Sequence, residues 1–580
     1  MKRNRPILSH TQSGQTQPRT PFWVAFLWYT WTAKPLARSR LELSTLKNRS
    51  LFVRGSGVSS FPSPSPQVPF IQTPSITDQP SQGSSLGFKA VCGLLLALST
   101  LGLSSCHSAA YYYYKFPEYT YANRPIPPSK LANRVMIGVS ANGSSGSLQI
   151  VDASRDIRSN VEDTIPGFQI AGYSSGYPGT ILSFPSETRA YVYSNSDGSL
   201  TNINYSSEAS AGSVGTFQSG SSAVAVPQTF SRYYGAENAA GILELSDNQT
   251  GTGYALNIPN VFKVAVNKGD TVALAMVRNS NVLYRIFKLN QNQYPTQQAA
   301  IQATGSADCE PSLLPVYCAV SVPGTYDRPT GVYFSLDGTT AYVLNCGPEC
   351  GGTTASVTLL QQGPLNNNVI PTSPTQPNPM IANVPVPGGV TAALSDGTTL
   401  YLAGQQLQPD GLFAGFLSTM NQATNTITGM YSISDGTHSK MLFADNNTLW
   451  IGSQFCATGE RQKQFASGVA TQAANYNCLT MVVLGGATLT PQIIPAVNQP
   501  GTGVTAVTVP YPNQNDNPYY YGSLTGICWV QGLNKVYTAY GGQVHVFSTV
   551  NGSEIDNEFV TVQGTALDVA YMDAATDDAN

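Results

Sequence analysis

Cysteine and histidine have the most scope for chemistry in this 580-residue chain, which holds nine of the first and four of the second. Six cysteines fall into close sequence pairs: Cys309 with Cys318, Cys346 with Cys350, and Cys456 with Cys478. In an oxidising compartment such neighbours close loops as disulfides, although six cysteines permit many other connectivities. Cys528, inside the apolar stretch 526–530, is left as a free thiol expected to be buried. Zinc needs four ligands at tight spacing, and Cys346-Gly-Pro-Glu-Cys350 has no second pair or histidine near it, so no metal is expected. His10 and His107 lie ahead of the repeats described below, and His545 sits mid-strand in QVHVFS, a structural position. His438 just precedes the strand 440–444, where loops joining repeats approach a central channel, and is the one candidate for a site at its mouth. Asp337, Asp396, Asp445 and Asn446 occupy turns and could ligate calcium, but their ordinary work there is to accept backbone hydrogen bonds. No EF-hand spacing, haem-attachment motif, HExxH, phosphate loop or nucleophile elbow is present. Neither catalytic residues nor a cofactor are expected.

Cys106 has a different chemistry. Residues 89–106 read KAVCGLLLALSTLGLSSC, one cation followed by a run of apolar and small residues too short to span a bilayer comfortably. The end, Leu103-Ser104-Ser105-Cys106, resembles the bacterial lipobox, an aliphatic residue and two small ones ahead of the modified cysteine. The resemblance implies cleavage before Cys106, its lipidation, and a stable anchor of two or more acyl chains. His107, where Asp would retain a lipoprotein at the inner membrane, favours the outer membrane. The alternative is an ordinary signal peptide or a single membrane anchor. Residues 1–88, basic and Ser/Pro-rich with one aromatic run at 21–31, fit no export logic; they are expected to be disordered or to precede the true start. Residues 107–133, rich in Tyr and Pro, suit an extended tether.

These segments carry the positive charge. Ahead of Cys106 there are eleven Lys and Arg against Glu42 and Asp78, leaving eighteen basic and thirty acidic residues in the remainder. An acidic domain without a basic cluster is a poor partner for phosphate backbones, so nucleic acid is excluded. Charged residues are 11% of the chain while Gly reaches 53 and Tyr 31, a composition of short strands and tight turns, not of exposed helices.

From residue 134 to the end one pattern recurs: a short apolar strand, a polar turn, a strand of the Ala/Leu-Tyr-Val kind, a Gly or Asn turn, and a third apolar strand. The clearest copy spans 329–360, with the turn Ser335-Leu336-Asp337-Gly338 and the strand Ala341-Tyr342-Val343-Leu344-Asn345. Further copies lie at 178–203, 388–404, 441–453 and 526–547, with weaker ones at 223–245 and 261–289 and a partial one at 135–152. Units of this length favour radial blades over stacked sandwiches, because each small sheet then buries both faces against its neighbours. The segment 564–573 reads as a first strand with nothing after it, and the copy at 135 begins at a second strand, so pairing them would close the ring. The expected fold is all-β: a single β-propeller over 134–580, of seven or eight four-stranded blades closed by the C-terminal strand.

Gly146 to Asp152, GSLQIVD, and Ala341 to Asn345 resemble the last and middle elements of the YVTN family of propeller repeats. The resemblance implies the fold and leaves the activity open. Expected is an envelope-anchored binding or scaffolding module for a protein or glycan, joined to the membrane by its lipid. A lactonase-like propeller hydrolase or a structural subunit of an envelope complex are the alternatives.

Overall fold

The computed structural model describes residues 125–579, apart from 144, 158–166, 219, 290–295, 305–307, 310–315, 370–377, 409–412, 457–476, 487, 495–520, 556–559 and 561. The export segment, Cys106 and the tether up to residue 124 lie outside the described residues. Residues 125–133 lie against the propeller: Leu131 joins a core between two blades, and Ser129 N donates to Glu208 Oε2 at 2.8 Å.

Eight antiparallel sheets follow one another along the chain. Blade 1 is completed by both ends, with the strand Thr565–Tyr571 paired to Arg134–Ser140 and that in turn to Gly146–Asp152. Blades 2 to 8 begin with Pro178–Phe184, Ala223–Ala225, Val261–Val266, Pro329–Phe334, Gly389–Ser395, Thr437–Ala444 and Leu524–Val530. Except between Pro178–Phe184 and Ala223–Ala225, these first strands, with Thr565–Tyr571, contact one another from blade to blade and so line the axis. The closure expected from the two chain ends is therefore present, and the blade number is eight.

Strand composition follows position in the blade. Second strands such as Thr340–Asn345 and Lys535–Tyr540 are buried at nearly every residue, because neighbouring blades cover both faces and apolar runs need not alternate. The outer strand Thr426–Ser432 alternates between exposed and partly buried, as one covered face requires. Each gap between blades holds its own apolar cluster. Tyr537 and Val546 of blade 8 meet Val135 and Ile137 of blade 1, and Met136 and Ile150 of blade 1 meet Ile181 and Val192 of blade 2.

Buried polar groups add a second tie. Tyr537 and Lys535 both donate to Asp156, Tyr234 and Arg232 both donate to Asp270, and Tyr317 and Lys288 both donate to Asp247. Burial raises the pKa of all three tyrosines, so they remain hydroxyl donors.

All three expected disulfides form. Cys309 and Cys318 face each other across paired strands at the rim of blade 4. Cys346–Cys350 closes the 3-10 turn Gly347–Cys350 after the second strand of blade 5. Cys456–Cys478 bridges the second and third strands of blade 7 across the segment between them. Cys528 is free and buried.

Candidate functional site

The first strands share a feature that repeat spacing does not announce. In seven blades the pairing of first and second strands slips by one residue near the same end, at Leu567, Gly179, Phe262, Thr330, Thr391, Ser439 and Thr525. A β-bulge re-aims the residue it inserts. Here Thr330 Oγ1 donates to Val390 O at 2.8 Å and Thr391 Oγ1 to His438 O at 2.8 Å, each reaching the next blade.

His438 stands at this level of blade 7 but is buried, 1% exposed. Its Nε2 donates to Ser434 O at 2.8 Å, and burial pushes its pKa down to about 4, so the ring is neutral near pH 7. Ser434, Ser453 and Thr480 form a buried hydroxyl network beside it. His545 is equally buried, bonded through Nδ1 to Glu554 at 2.7 Å and stacked on Tyr521 at 4.5 Å. The turn aspartates are used as turns use them. Asp337 Oδ1 accepts Thr339 N at 3.0 Å, Asp396 Oδ1 accepts Thr399 N at 2.7 Å, and Asp445 Oδ2 accepts Asn534 N at 3.0 Å. Among the described residues no group of three or more His, Cys, Asp and Glu is placed to hold a metal ion.

Near the axis stand Lys263, Lys440 and Asp568. Lys440 Nζ lies 3.2 Å from both oxygens of Asp568, whose Oδ2 also accepts Ile181 N at 2.9 Å from the next blade. Gly526 leaves the room this carboxylate occupies, since a Cβ there would collide with it. Lys263 has no such partner among the described residues. It is only partly open to solvent, and a Cβ on Gly331 in the next blade would sit 3.5 Å from its Nζ; burial lowers its pKa.

Two cavities lie between blades. One, of about 320 Å³, lies between blades 2 and 3 and is lined by Phe217, Glu244, Leu245 and Tyr254. Gln218 N donates to Glu244 Oε2 at 2.8 Å, and its side-chain amide donates to Glu237 at 2.8 Å. Burial, reinforced by Glu244, pushes the Glu237 pKa up. The other cavity, of about 260 Å³, lies between blades 4 and 5 and is lined by Phe262, Arg278, Asn279, Arg328, Thr330 and Cys350. Topology puts Glu237 and Arg278 at the same end of their blades. Glu237 ends the second strand of blade 3 and Arg278 directly follows that of blade 4, while Gln218 and Arg328 lie on the segments entering blades 3 and 5.

The architecture is that of a β-propeller. Among solved structures, dihydro-heme d1 dehydrogenase NirN is similar at 12% identity with a TM-score of 0.41, over 77% of this chain and 81% of that one. A functionally unknown protein from Desulfotomaculum acetoxidans gives 11%, 0.37, 76% and 98%, and Kuenenia stuttgartiensis hydrazine synthase gives 12%, 0.33, 56% and 75%. Neither a protein-family model nor a curated protein matches the sequence. Identities this low carry no activity across.

Sequence reasoning chose His438 and overlooked Arg278 and Arg328. The usable signal was positional: both arginines border strands of adjacent repeats, Arg278 in the turn Arg278-Asn279-Ser280-Asn281 and Arg328 immediately before Pro329. Aligning the repeats by their turns would have placed them at one mouth. The pair Cys346–Cys350, read only as a loop staple, also reaches this cavity through Cys350.

Proposed function

We propose that this chain is a non-enzymatic binding module, held by a lipid on Cys106 at the outer membrane and presenting its inter-blade cavities to an envelope protein or glycan. The observation that supports binding is the cavity between blades 4 and 5, whose arginines are not consumed by the fold. Arg278 lies over the ring of Phe262 at 5.0 Å with no carboxylate in hydrogen-bond contact among the described residues, and Arg328 donates to Gly351 O at 3.2 Å and acts on Asp327 only through its field. Neither side chain forms an ion pair among the described residues, so both are available to a ligand beside this cavity.

The test is a pull-down of the full lipidated chain from envelope fractions, with mass spectrometry of its amino terminus. The expected result is a lipid-modified peptide beginning at Cys106 and a specific protein or glycan that the Arg278→Gln, Arg328→Gln double variant no longer recovers. A peptide from residues 1–88 in the mature chain defeats the anchor, and identical recovery by the double variant defeats this cavity as the binding site.

A hydrolase is the second reading, favoured by Glu244 in the cavity wall and Glu237 close enough to it to be shifted toward its protonated form. Ester or glycoside turnover that vanishes in Glu244→Gln would establish it in place of the first.

A further inference from the structure

We propose that the cavity between blades 4 and 5 is a subsite for the carboxylate of an acidic sugar residue, a hexuronate. This rests on the binding-module reading and names the chemistry of its ligand.

Cations outnumber carboxylates about this cavity. Lys263, Arg278 and Arg285 all belong to blade 4, and Arg328 leads into blade 5. Arg285 is 2% exposed and leaves Nη2 without an acceptor, but it donates through Nη1 to the carbonyls of Pro364 and Asn366 and does not line the cavity. Arg328 Nε is likewise buried without an acceptor, although its side chain lines the cavity. The nearest acidic residues in sequence are each engaged through one oxygen, while Asp327 Oδ1 and Glu349 Oε2 are buried without a donor. Asp327 Oδ2 takes three donors, the N–H and hydroxyl of Thr353 and the N–H of Thr354, each at 2.7 Å. Glu349 Oε1 accepts Leu407 N at 3.2 Å. An unpaired donor in low dielectric is costly, and an anion entering the cavity would supply the missing acceptor.

The chemistry of the ligand follows from the donors and the space. Two guanidinium forks suit the planar, two-oxygen geometry of a carboxylate. Arg278, Arg328 and Lys263 stand near Asp327 and Glu349, so the local excess is one positive charge, which matches a singly charged carboxylate better than a dianionic phosphate. A volume of about 260 Å³ suits one small ring. Asn279 offers amide groups to ring hydroxyls, whereas Phe262 is covered by Arg278 and gives an apolar side chain no seat. The cavity is built from a bulge and two loops, so it has no free strand edge on which a peptide could lie.

The test is calorimetry on the full chain with glucuronate, glucose and N-acetylglutamate. Glucuronate should bind and glucose should not, and the affinity for glucuronate should fall by about ten-fold or more in Arg278→Gln, the loss expected for one charged hydrogen-bonding group. Arg278 is exposed, so thermal stability should be unchanged; Arg278→Lys should recover part of the affinity, having the charge but not the fork. Equal binding of glucose, or undiminished binding by Arg278→Gln, overturns the proposal. N-acetylglutamate binding as tightly as glucuronate overturns the sugar assignment in favour of an acidic peptide. Should no carboxylate bind while the envelope pull-down still recovers its partner, this inference falls and the binding-module reading stands.

Discussion

Ring closure should depend on one buried arginine. Arg134, on the first N-terminal strand of the ring, is 3% exposed and joins three parts of the chain. Its Nη2 lies 2.6 Å from Asp573 Oδ1 just beyond the C-terminal strand, and its Nη1 lies 2.9 Å from Glu208 Oε1 and 2.7 Å from Tyr205 O in blade 2. Arg134→Met keeps much of the volume but leaves two carboxylates buried beside each other without their cation. Breaking a buried ion pair from one side costs about 3–5 kcal/mol. Asp573 keeps a bond from Arg134 N, and Glu208 keeps two from Ser129, which places the loss at the lower end, about 3 kcal/mol. With an unfolding entropy of about 2 cal/mol/K per residue over roughly 440 residues, that lowers Tm by only about 3 °C. Amide exchange resolves it better: about 3 kcal/mol corresponds to roughly hundred-fold faster exchange, concentrated in Thr565–Tyr571 and Arg134–Ser140. Lys268→Met, which removes an exposed pair with Asp578 at 3.7 Å, is the control and should leave both readouts unchanged. If Arg134→Met leaves exchange in Thr565–Tyr571 at the wild-type rate, the latch assigned to this cluster does not exist.

Two other outcomes are expected. His438 has a folded pKa of about 4 against the ordinary 6.5 of a solvated histidine, so the unfolded chain takes up a proton that the folded one refuses as pH falls from 6.5 to 4. The stability that the neutral ring contributes is full above pH 6.5 and is lost across that window, by about 3 kcal/mol at most. Asp568, whose pKa is raised mainly by burial, works in the opposite direction above pH 4, so the readout is the difference between the wild type and His438→Gln in urea unfolding from pH 4 to 7. A parallel pH slope in the variant would contradict the assignment. Cys456–Cys478 closes a loop 22 residues apart in sequence, and Cys456→Ala should cost about 3 kcal/mol by the loop-entropy argument. Peptide mapping without reductant should recover the 456–478 link, and any crosslink to Cys528 would refute the buried free thiol.

The strands were legible in the sequence because a blade is a local object. Each repeat, including the weak ones at 223–245 and 261–289, begins a separate sheet, and the orphan strand at the C-terminus named its own partner. The number of blades stayed open because the first strand of blade 3 is only Ala223–Ala225, too short to show a period. The disulfides were legible for the same reason as the strands, since each joins residues that neighbouring strands bring together. The site was not. Arg278 and Arg328 are fifty positions apart and converge only because blade 5 packs against blade 4, so no local spacing could join them. His438 was a reasonable choice by type and place, but the slip in pairing at Ser439 and the wall of Ser434, Ser453 and Thr480 sequester it.

Stability and recognition use the same scarce residues in opposite ways. Charged side chains are 11% of the chain, and where the blades need one inside, it comes with a carboxylate: Arg134 with Asp573 and Glu208, Arg232 with Asp270, Lys288 with Asp247, Lys440 with Asp568 and Lys535 with Asp156. Such pairing follows from desolvation, because a lone buried charge destabilises the fold by several kcal/mol. Lys263, Arg278 and Arg328 form no ion pair among the described residues and stand about one cavity. Arg285 is the exception, buried without a carboxylate: burial lowers its pKa to about 10, yet it stays charged at neutral pH and donates to the carbonyls of Pro364 and Asn366, away from the cavity. A ring of eight near-equivalent gaps gives no structural reason for one of them to concentrate unpaired cations. The proposed anionic ligand would use that concentration, since Arg189 in blade 2, likewise without an ion pair among the described residues and lying over Phe230, stands apart from any such group.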